Sequence, residues 1–158
     1  MTTGTVSSVS DDRAAIEILL ADYADHIDDG DFDAVGALFA RGRVCDATGA
    51  VLADGTEAVR ELYEATTRRH PDGTPRTHHA VTNVAIAVTG DTATARSRFV
   101  VLQAVAEGEL RPVITGRYQD SFACRHGIWH FAERRMDVGL TGDLSEHLLI
   151  DLPAMEGP

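Results

Sequence analysis

The stretch IEILLADYADHIDDGDFDAVGALF, residues 16–39, predicts two consecutive helices that each bury one face. Ile16, Leu20 and Ala24 recur at intervals of four residues, which places them on one side of a helix. Asp28 continues that stripe, and Gly30 is expected to end the helix. A carboxylate therefore stands at the end of an apolar helical face.

The residues around this stretch predict the remaining elements. Asp11 or Asp12 is expected to cap the first helix, and a short second helix begins at Asp31 and ends before Gly42. Short strands are predicted at 43–46 and 50–53, and a third helix from Glu57 to about Arg69. Four long strands follow, over 76–88, 92–106, 112–124 and 128–138, and the tight links between them make an antiparallel meander.

This order of elements predicts an α+β fold. Three N-terminal helices would pack on one face of a curved antiparallel sheet and form a cone-shaped barrel with a cavity between the layers. We expect a flexible tail over residues 1–10, one domain over 11–140 and a C-terminal tail over 141–158.

Composition narrows the class of function. The 158 residues carry a formal net charge of −11, which argues against binding to nucleic acid or to anionic membranes. The N-terminus has no apolar run typical of a signal peptide, and no segment is long enough to span a bilayer, so a cytoplasmic protein is expected. Cys45 and Cys124 lie in predicted strands without a metal-binding or redox spacing, and the scattered histidines predict no metal site.

Asp28 and His79 are the strongest candidates for chemistry. On a strand starting near residue 76, His79 shares a face with Thr77 and Val81, whereas His78 points to the other side. Asp28 could instead be a surface carboxylate, His79 could be a structural histidine, and His78 could take the inward position. If the carboxylate and the imidazole meet, they form a general-base dyad that works near pH 7.

Three further residues suggest a polar pocket. Tyr23 lies on the inner face of the first helix, where its hydroxyl could bind a substrate or only pack in the core. On the third long strand, Tyr118 and Asp120 share a face with Gly116 and Phe122. Asp120 could line the pocket, or it could pair with an arginine of a neighbouring strand.

Several motifs resemble the SnoaL-like proteins of the nuclear transport factor 2-like superfamily. These are the segments 13–17, 23–35 and 38–39, Thr77-His78-His79 with Asn83, Gly116 to Asp120, and Gly127-Ile128-Trp129 followed by Glu133 to Arg135. Their order and spacing cover most of residues 11–147. Within the superfamily, the chain is most similar to scytalone dehydratase, bile-acid 7α-dehydratase and hexachlorocyclohexane dehydrochlorinase.

The resemblance implies a set of site residues. The catalytic aspartate falls on Asp28, the catalytic histidine on His79 and a helix tyrosine on Tyr23, while a pocket arginine falls near Arg125. The second pocket histidine of scytalone dehydratase has no match. Ketosteroid isomerases also resemble the chain, with Tyr23, Asp46 and Asp120 near their functional positions, but Asp46 lacks the proline that usually follows their base.

Three functions follow as expectations. The first is a cofactor-free and metal-free lyase in which Asp28, His79 and Tyr23 eliminate water or a similar group from a small apolar or polycyclic substrate. Asp46, Tyr118, Asp120 and Arg125 would then contact that substrate. An isomerase or polyketide cyclase on the same pocket is the second, and a non-catalytic binding module is the third. A homo-oligomer, dimer or trimer, is expected through the open sheet.

Overall fold

Three helices and six strands make up the fold in a computed structural model that describes residues 8–105 and 108–152. The elements in chain order are α1 (Val9–Asp28), α2 (Phe32–Leu38), β1 (Arg43–Asp46), β2 (Val51–Asp54), α3 (Thr56–Thr66), β3 (Thr77–Thr89), β4 (Thr92–Ala104), β5 (Leu110–Arg125) and β6 (Ile128–Thr141). Each predicted element is present, with bounds that differ by a few residues.

Helix α1 begins earlier than the sequence predicts. Ser8, not Asp11 or Asp12, is the N-cap, and its hydroxyl accepts a hydrogen bond from the backbone N–H of Asp11 while the Asp11 side chain bonds back to Ser8. This reciprocal capping box satisfies two backbone N–H groups at once. Residues 9 and 10 therefore belong to α1 rather than to the predicted tail, of which residues 1–7 lie outside the described residues.

The sheet is mixed rather than wholly antiparallel. Its strand order is β2-β1-β6-β5-β4-β3, and β1 runs parallel to β6, while all other neighbours are antiparallel. The sheet is curved and does not close, so β3 forms one of its edges. The helices cover one face, which we call the inner face, and the core lies between them and the sheet.

A β-bulge changes which residues of β3 face inward. The register with β4 shifts between Thr82 and Ala85, and Asn83 adopts a φ of 55°. Before the bulge, His79 and Val81 face inward; after it, Ile86 and Val88 do. Strict alternation places Ile86 on the face of His78, and that expectation is wrong because the bulge inserts an extra residue.

Side chains fill the interior of the cone. Its largest fully buried members include aromatic residues and one arginine, among them Tyr23, Phe39, Phe122, Phe131 and Arg134. Two cavities lie elsewhere: one of about 520 Å³ on the outer face of the sheet, and one of about 760 Å³ beside the residues that follow β6. The second cavity matters for the site described below.

Residues 142–152, which we call the C-terminal segment, fold back onto the domain. Thr67 forms a β-bridge with Leu148, and the backbone N–H of Arg68 donates to the carbonyl of His147 at 2.8 Å. These contacts explain why α3 ends at Thr66 rather than at about Arg69. Within the part of the chain that the structure describes, no helix combines the length and the apolar character of a membrane span.

Candidate active site

Asp28 and His79 lie in direct contact. Nδ1 of His79 is 2.5 Å from Oδ1 of Asp28, and the backbone N–H of His79 donates to Oδ2 at 2.7 Å. The hydroxyl of Thr77 also donates to Oδ1, at 2.7 Å. The Asp28 carboxylate thus accepts three hydrogen bonds from the first three residues of β3.

The edge position of β3 explains why these bonds can form. The backbone N–H groups of an edge strand that point away from its neighbour have no strand partner. Asp28, at the end of α1, satisfies one of them, that of His79. This placement also compensates the carboxylate for its unfavourable position at a helix C-terminus.

His79, not His78, takes the inward position. The side chain of His79 is 7% exposed and that of Asp28 is 15% exposed, whereas His78 is exposed. Burial alone would raise the pKa of Asp28, but the hydrogen bonds and the charge of His79, with the hydroxyl of Thr77, lower it below its usual value. Asp28 is therefore an anion at neutral pH.

The contact with an anionic carboxylate fixes the tautomer of His79. A carboxylate can only accept hydrogen bonds, so Nδ1 must carry the proton. Nε2 makes no hydrogen bond within residues 8–105 and 108–152. In the neutral ring this nitrogen has a lone pair, so it can accept a proton from a bound molecule.

Asp120 pairs with an arginine on the neighbouring strand. Its two carboxylate oxygens each accept an N–H of Arg134 at 2.8 Å, and both side chains are at most 1% exposed. The guanidinium lies between the rings of Tyr23 and Tyr118, at 4.0 and 3.9 Å from their centroids. Of the two alternatives that the sequence leaves open for Asp120, the structure favours the ion pair.

Tyr23 points into this aromatic cluster rather than toward the dyad. Its hydroxyl is hydrogen-bonded to that of Tyr63 and lies 3.8 Å from the sulfur of Met136. Burial raises the pKa of Tyr23, and it raises those of Tyr63 and Tyr118 further. All three hydroxyls therefore remain protonated at neutral pH.

Asp46 and Arg125 lie away from Asp28 and His79. Asp46 closes a turn, because its Oδ1 accepts from Thr48 and from the backbone N–H of Ala50. Arg125 is exposed at the end of β5. The register links His79 to Val101 and then to Ile114, eleven residues before Arg125, or about 36 Å along the strand. The expectation that Arg125 shares a pocket with the dyad is therefore wrong, because the strand carries it to the opposite end.

Two residues near the dyad were missed in the sequence. His147, in the C-terminal segment, is 5% exposed, and Gln103, on β4, is fully buried. Burial and the charge of His79 lower the pKa of His147 to about 4. A glutamine on the buried face of β4, after Phe99 and Val101, was a readable signal. The segment of His147 has no periodicity, so the sequence held no comparable signal for it.

The described residues contain no cluster of three or more histidine, cysteine or acidic side chains that could hold a metal ion. Cys45 is buried and Cys124 is half-buried, and both are free thiols. The site itself offers an imidazole, the carboxylate that orients it and a neighbouring buried imidazole.

Comparison with known proteins gives a family and a set of similar folds. The SnoaL-like domain matches residues 8–135. A Mycobacterium tuberculosis protein of unknown function is 28% identical over 86% of this chain and 78% of its own, with a TM-score of 0.68. A Novosphingobium aromaticivorans protein provisionally assigned as a scytalone dehydratase is 25% identical over 84% and 87%, with a TM-score of 0.65.

A more distant structure shares the fold alone. The hexachlorocyclohexane dehydrochlorinase of Novosphingobium barchaimii is 18% identical over 85% of this chain and 90% of its own, with a TM-score of 0.65. Comparison with curated protein sequences gives no significant match.

Proposed function

We propose that this chain, which belongs to the SnoaL-like domain family, is a lyase that uses Asp28 and His79 to eliminate a small group from an apolar or polycyclic substrate. The observation that supports this function is the 2.5 Å contact between Nδ1 of His79 and Oδ1 of Asp28, which leaves Nε2 able to accept a proton. The dehydratase assignment of one relative at 25% identity points in the same direction.

The proposed reaction begins at a carbon acid. Nε2 of His79 takes a proton from a carbon next to a carbonyl or an aromatic ring, and Asp28 stabilises the imidazolium that forms. The electron pair of the broken C–H bond forms a C=C bond, while the adjacent C–O bond breaks and its oxygen keeps the bonding pair. His79 then returns the proton to that oxygen, so the products are an alkene and water.

The electron balance of this elimination closes within the substrate. One carbon loses a proton, and the neighbouring carbon loses the leaving group together with its bonding electron pair. The net change therefore needs no external oxidant or reductant. A cofactor-free reaction is therefore consistent with the residues at the site. General-base help of this kind contributes about 10²–10⁴-fold to the rate.

The cavity beside the C-terminal segment is consistent with a small substrate that is largely apolar. The C-terminal segment lines this cavity of about 760 Å³ with apolar side chains, among them Leu144, Leu148 and Leu152, and with polar ones such as Asp143 and Ser145. Val138 of β6 also lines this cavity. This volume suits a molecule of two or three fused rings. Asp28 and His79 do not line this cavity. We therefore propose that the C-terminal segment moves aside and lets a substrate pass from the cavity to Asp28 and His79.

Homo-oligomerisation through the outer face of the sheet belongs to the same proposal. The helices cover the inner face only, and polar side chains such as Thr94, Arg96 and Gln119 surround the outer cavity of about 520 Å³. A second chain with the same surface could cover it in an isologous contact.

Two probes on one carbon skeleton test the function. In D₂O, exchange of the acidic C–H of β-tetralone, which lies between a carbonyl and an aromatic ring, reports proton removal by NMR. A β-hydroxy ketone on the same skeleton, whose loss of water gives β-naphthol, reports complete elimination by fluorescence. We expect His79→Ala to slow both reactions by about 10²–10⁴-fold.

His78→Ala is the matched control, because the neighbouring histidine is exposed and points away from the site. It should react at the wild-type rate. Equal rates in His79→Ala and wild type would exclude the dyad as the base. Binding of β-tetralone without exchange in wild type would instead favour a non-catalytic binding module.

A further inference from the structure

Three buried polar atoms on β4, on the C-terminal segment and on the residue that pairs with this segment lack a hydrogen-bond partner within the described residues. They are Oε1 of Gln103, Nδ1 of His147 and Nε of Arg68. A buried polar group without a partner costs about 1–3 kcal/mol, and most buried groups avoid that cost. Three such atoms on residues linked through backbone hydrogen bonds make this region a candidate for binding a polar group of a ligand.

Backbone contacts bring these residues together. The amide of Gln103 donates to the carbonyl of Glu146 at 2.8 Å and to that of Pro75 at 3.1 Å. Arg68 donates its backbone N–H to the carbonyl of His147. Gln103 and Arg68 therefore hold the backbone at Glu146 and at His147, and His147 is 5% exposed.

The sheet register places this group beside the dyad. Gln103 lies directly opposite Thr77, whose hydroxyl donates to Asp28. Two residues along the same pair of strands, Val101 lies opposite His79. Cross-strand partners share a face of the sheet, so Gln103 and the dyad lie on the same inner side.

The electrostatics agree with this placement. Burial lowers the pKa of His147 to about 4, the charge of His79 lowers it too, and that of Asp28 opposes the shift. The charges of both members of the dyad therefore act on the His147 ring. At neutral pH His147 is uncharged, so its ring offers one N–H donor and one acceptor.

We propose that His147 and Gln103 bind the polar oxygen of the substrate, a carbonyl or hydroxyl, next to the carbon that His79 deprotonates. This inference rests on the proposed function and names the substrate-binding residues of that site. A hydroxyl matches the pair well, because it can donate to Oε1 of Gln103 and accept from the imidazole. A carbonyl would accept from the imidazole alone.

Binding of two matched probes tests the role of His147. β-Tetralone carries a ketone, and tetralin is the corresponding hydrocarbon without it. Both are measured in the His79→Ala background, so that catalysis has no part in the result. We expect His147→Phe to weaken the binding of β-tetralone by roughly 3- to 12-fold, the worth of one hydrogen bond, and to leave that of tetralin unchanged.

His70→Ala is the control for the position of the C-terminal segment. The half-buried His70 ring also contacts the Glu146 carbonyl, at 3.1 Å, so its loss loosens the segment without removing the His147 ring. This variant should bind both probes alike, with any loss shared between them. A selective loss for β-tetralone is expected only when the His147 ring itself is replaced.

A second readout needs no substitution at residue 147. In ¹⁵N-histidine-labelled protein, the Nδ1 resonance of His147 should shift when β-tetralone is added and should not shift with tetralin. Equal losses for both probes in His147→Phe, or an Nδ1 resonance that β-tetralone does not move, would overturn the inference. The proposed function fails separately, if His79→Ala keeps the wild-type exchange rate.

Discussion

This protein contains two pairs in which a carboxylate contacts a basic side chain: Asp28 with His79, and Asp120 with Arg134. Their surroundings give the two pairs different roles. Asp120 and Arg134 are at most 1% exposed and lie between aromatic rings. Asp28 and His79 are slightly exposed at the sheet edge, and the base keeps one nitrogen unbonded. Neighbouring side chains surround Asp120 and Arg134 completely, whereas His79 is held through Nδ1 only and its Nε2 makes no hydrogen bond within the described residues.

The two pairs differ in whether the basic side chain can exchange a proton. Arg134 remains charged at any pH in which the protein folds, because its pKa is raised further by Asp120 despite the burial that opposes it. Nε2 of His79 makes no hydrogen bond within the described residues, and in the neutral ring its lone pair can accept a proton. A buried arginine therefore joins helices to the sheet, while a histidine in a similar contact can perform chemistry.

Removing the acid of the dyad gives the largest expected effect. Asp28→Asn should slow elimination from the β-hydroxy ketone probe by about 10²–10⁴-fold, because the amide neither fixes the tautomer of His79 nor stabilises its imidazolium. The fold should survive, since the asparagine can still accept from Thr77. Steady-state rates and circular dichroism check both parts, and turnover equal to that of wild type would show that Asp28 does not assist His79.

Removing the acid of the buried pair, Asp120, should instead destabilise the fold. Asp120→Asn leaves the Arg134 charge buried without compensation, which costs about 3–5 kcal/mol of unfolding free energy. Urea denaturation measures this loss. The double variant Asp120→Leu/Arg134→Met should recover most of it, because it removes both charges, whereas an Asp120→Asn protein as stable as wild type would mean that the pair adds nothing.

The pH dependence of the unfolding free energy tests the surroundings of the dyad through His147. His147 has a folded pKa of about 4 against 6.5 in its ordinary state. Between these values the unfolded chain binds more protons, so stability contributed by neutral His147 is complete above pH 6.5 and is lost as pH falls toward 4. The loss is on the order of 3 kcal/mol.

A matched variant isolates this contribution from that of the other groups that titrate over the same pH range. Between pH 7.5 and pH 4, the unfolding free energy of wild type should fall by more than that of His147→Phe. A difference that stays constant over this range would show that His147 titrates normally.

The smallest effect is expected for Tyr23, which the sequence places in the site and the structure places in the aromatic cluster. Tyr23→Phe removes one buried hydrogen bond to Tyr63 and should cost about 1 kcal/mol of stability. If the hydroxyl also touches substrate, the elimination rate falls beyond what the lost stability explains. Tyr63→Phe removes the same bond from the other side, so equal rates in the two variants would assign Tyr23 to the core.

Residues 16–39 and the long strands could be predicted because their apolar side chains repeat with the period of a helix or a strand. The same logic indicated Asp28, since it continues an apolar stripe, but it left His78 and His79 as alternatives, and the family resemblance pointed to His79. It failed beyond Thr82, where the β-bulge reverses the alternation. It also failed for the capping residue of α1, because Ser8 competes with two aspartates that are equally good caps.

The sequence by itself determined the α+β class, the family resemblance and the two members of the dyad, because local periodicity and short motifs carry that information. Only the tertiary structure decided that Asp120 closes onto Arg134, that Arg125 lies at the far end of β5, and that His147 returns to the dyad from a segment without periodicity. Such contacts join residues far apart in the chain, and the register of the sheet and the path of the last segment determine which of them meet.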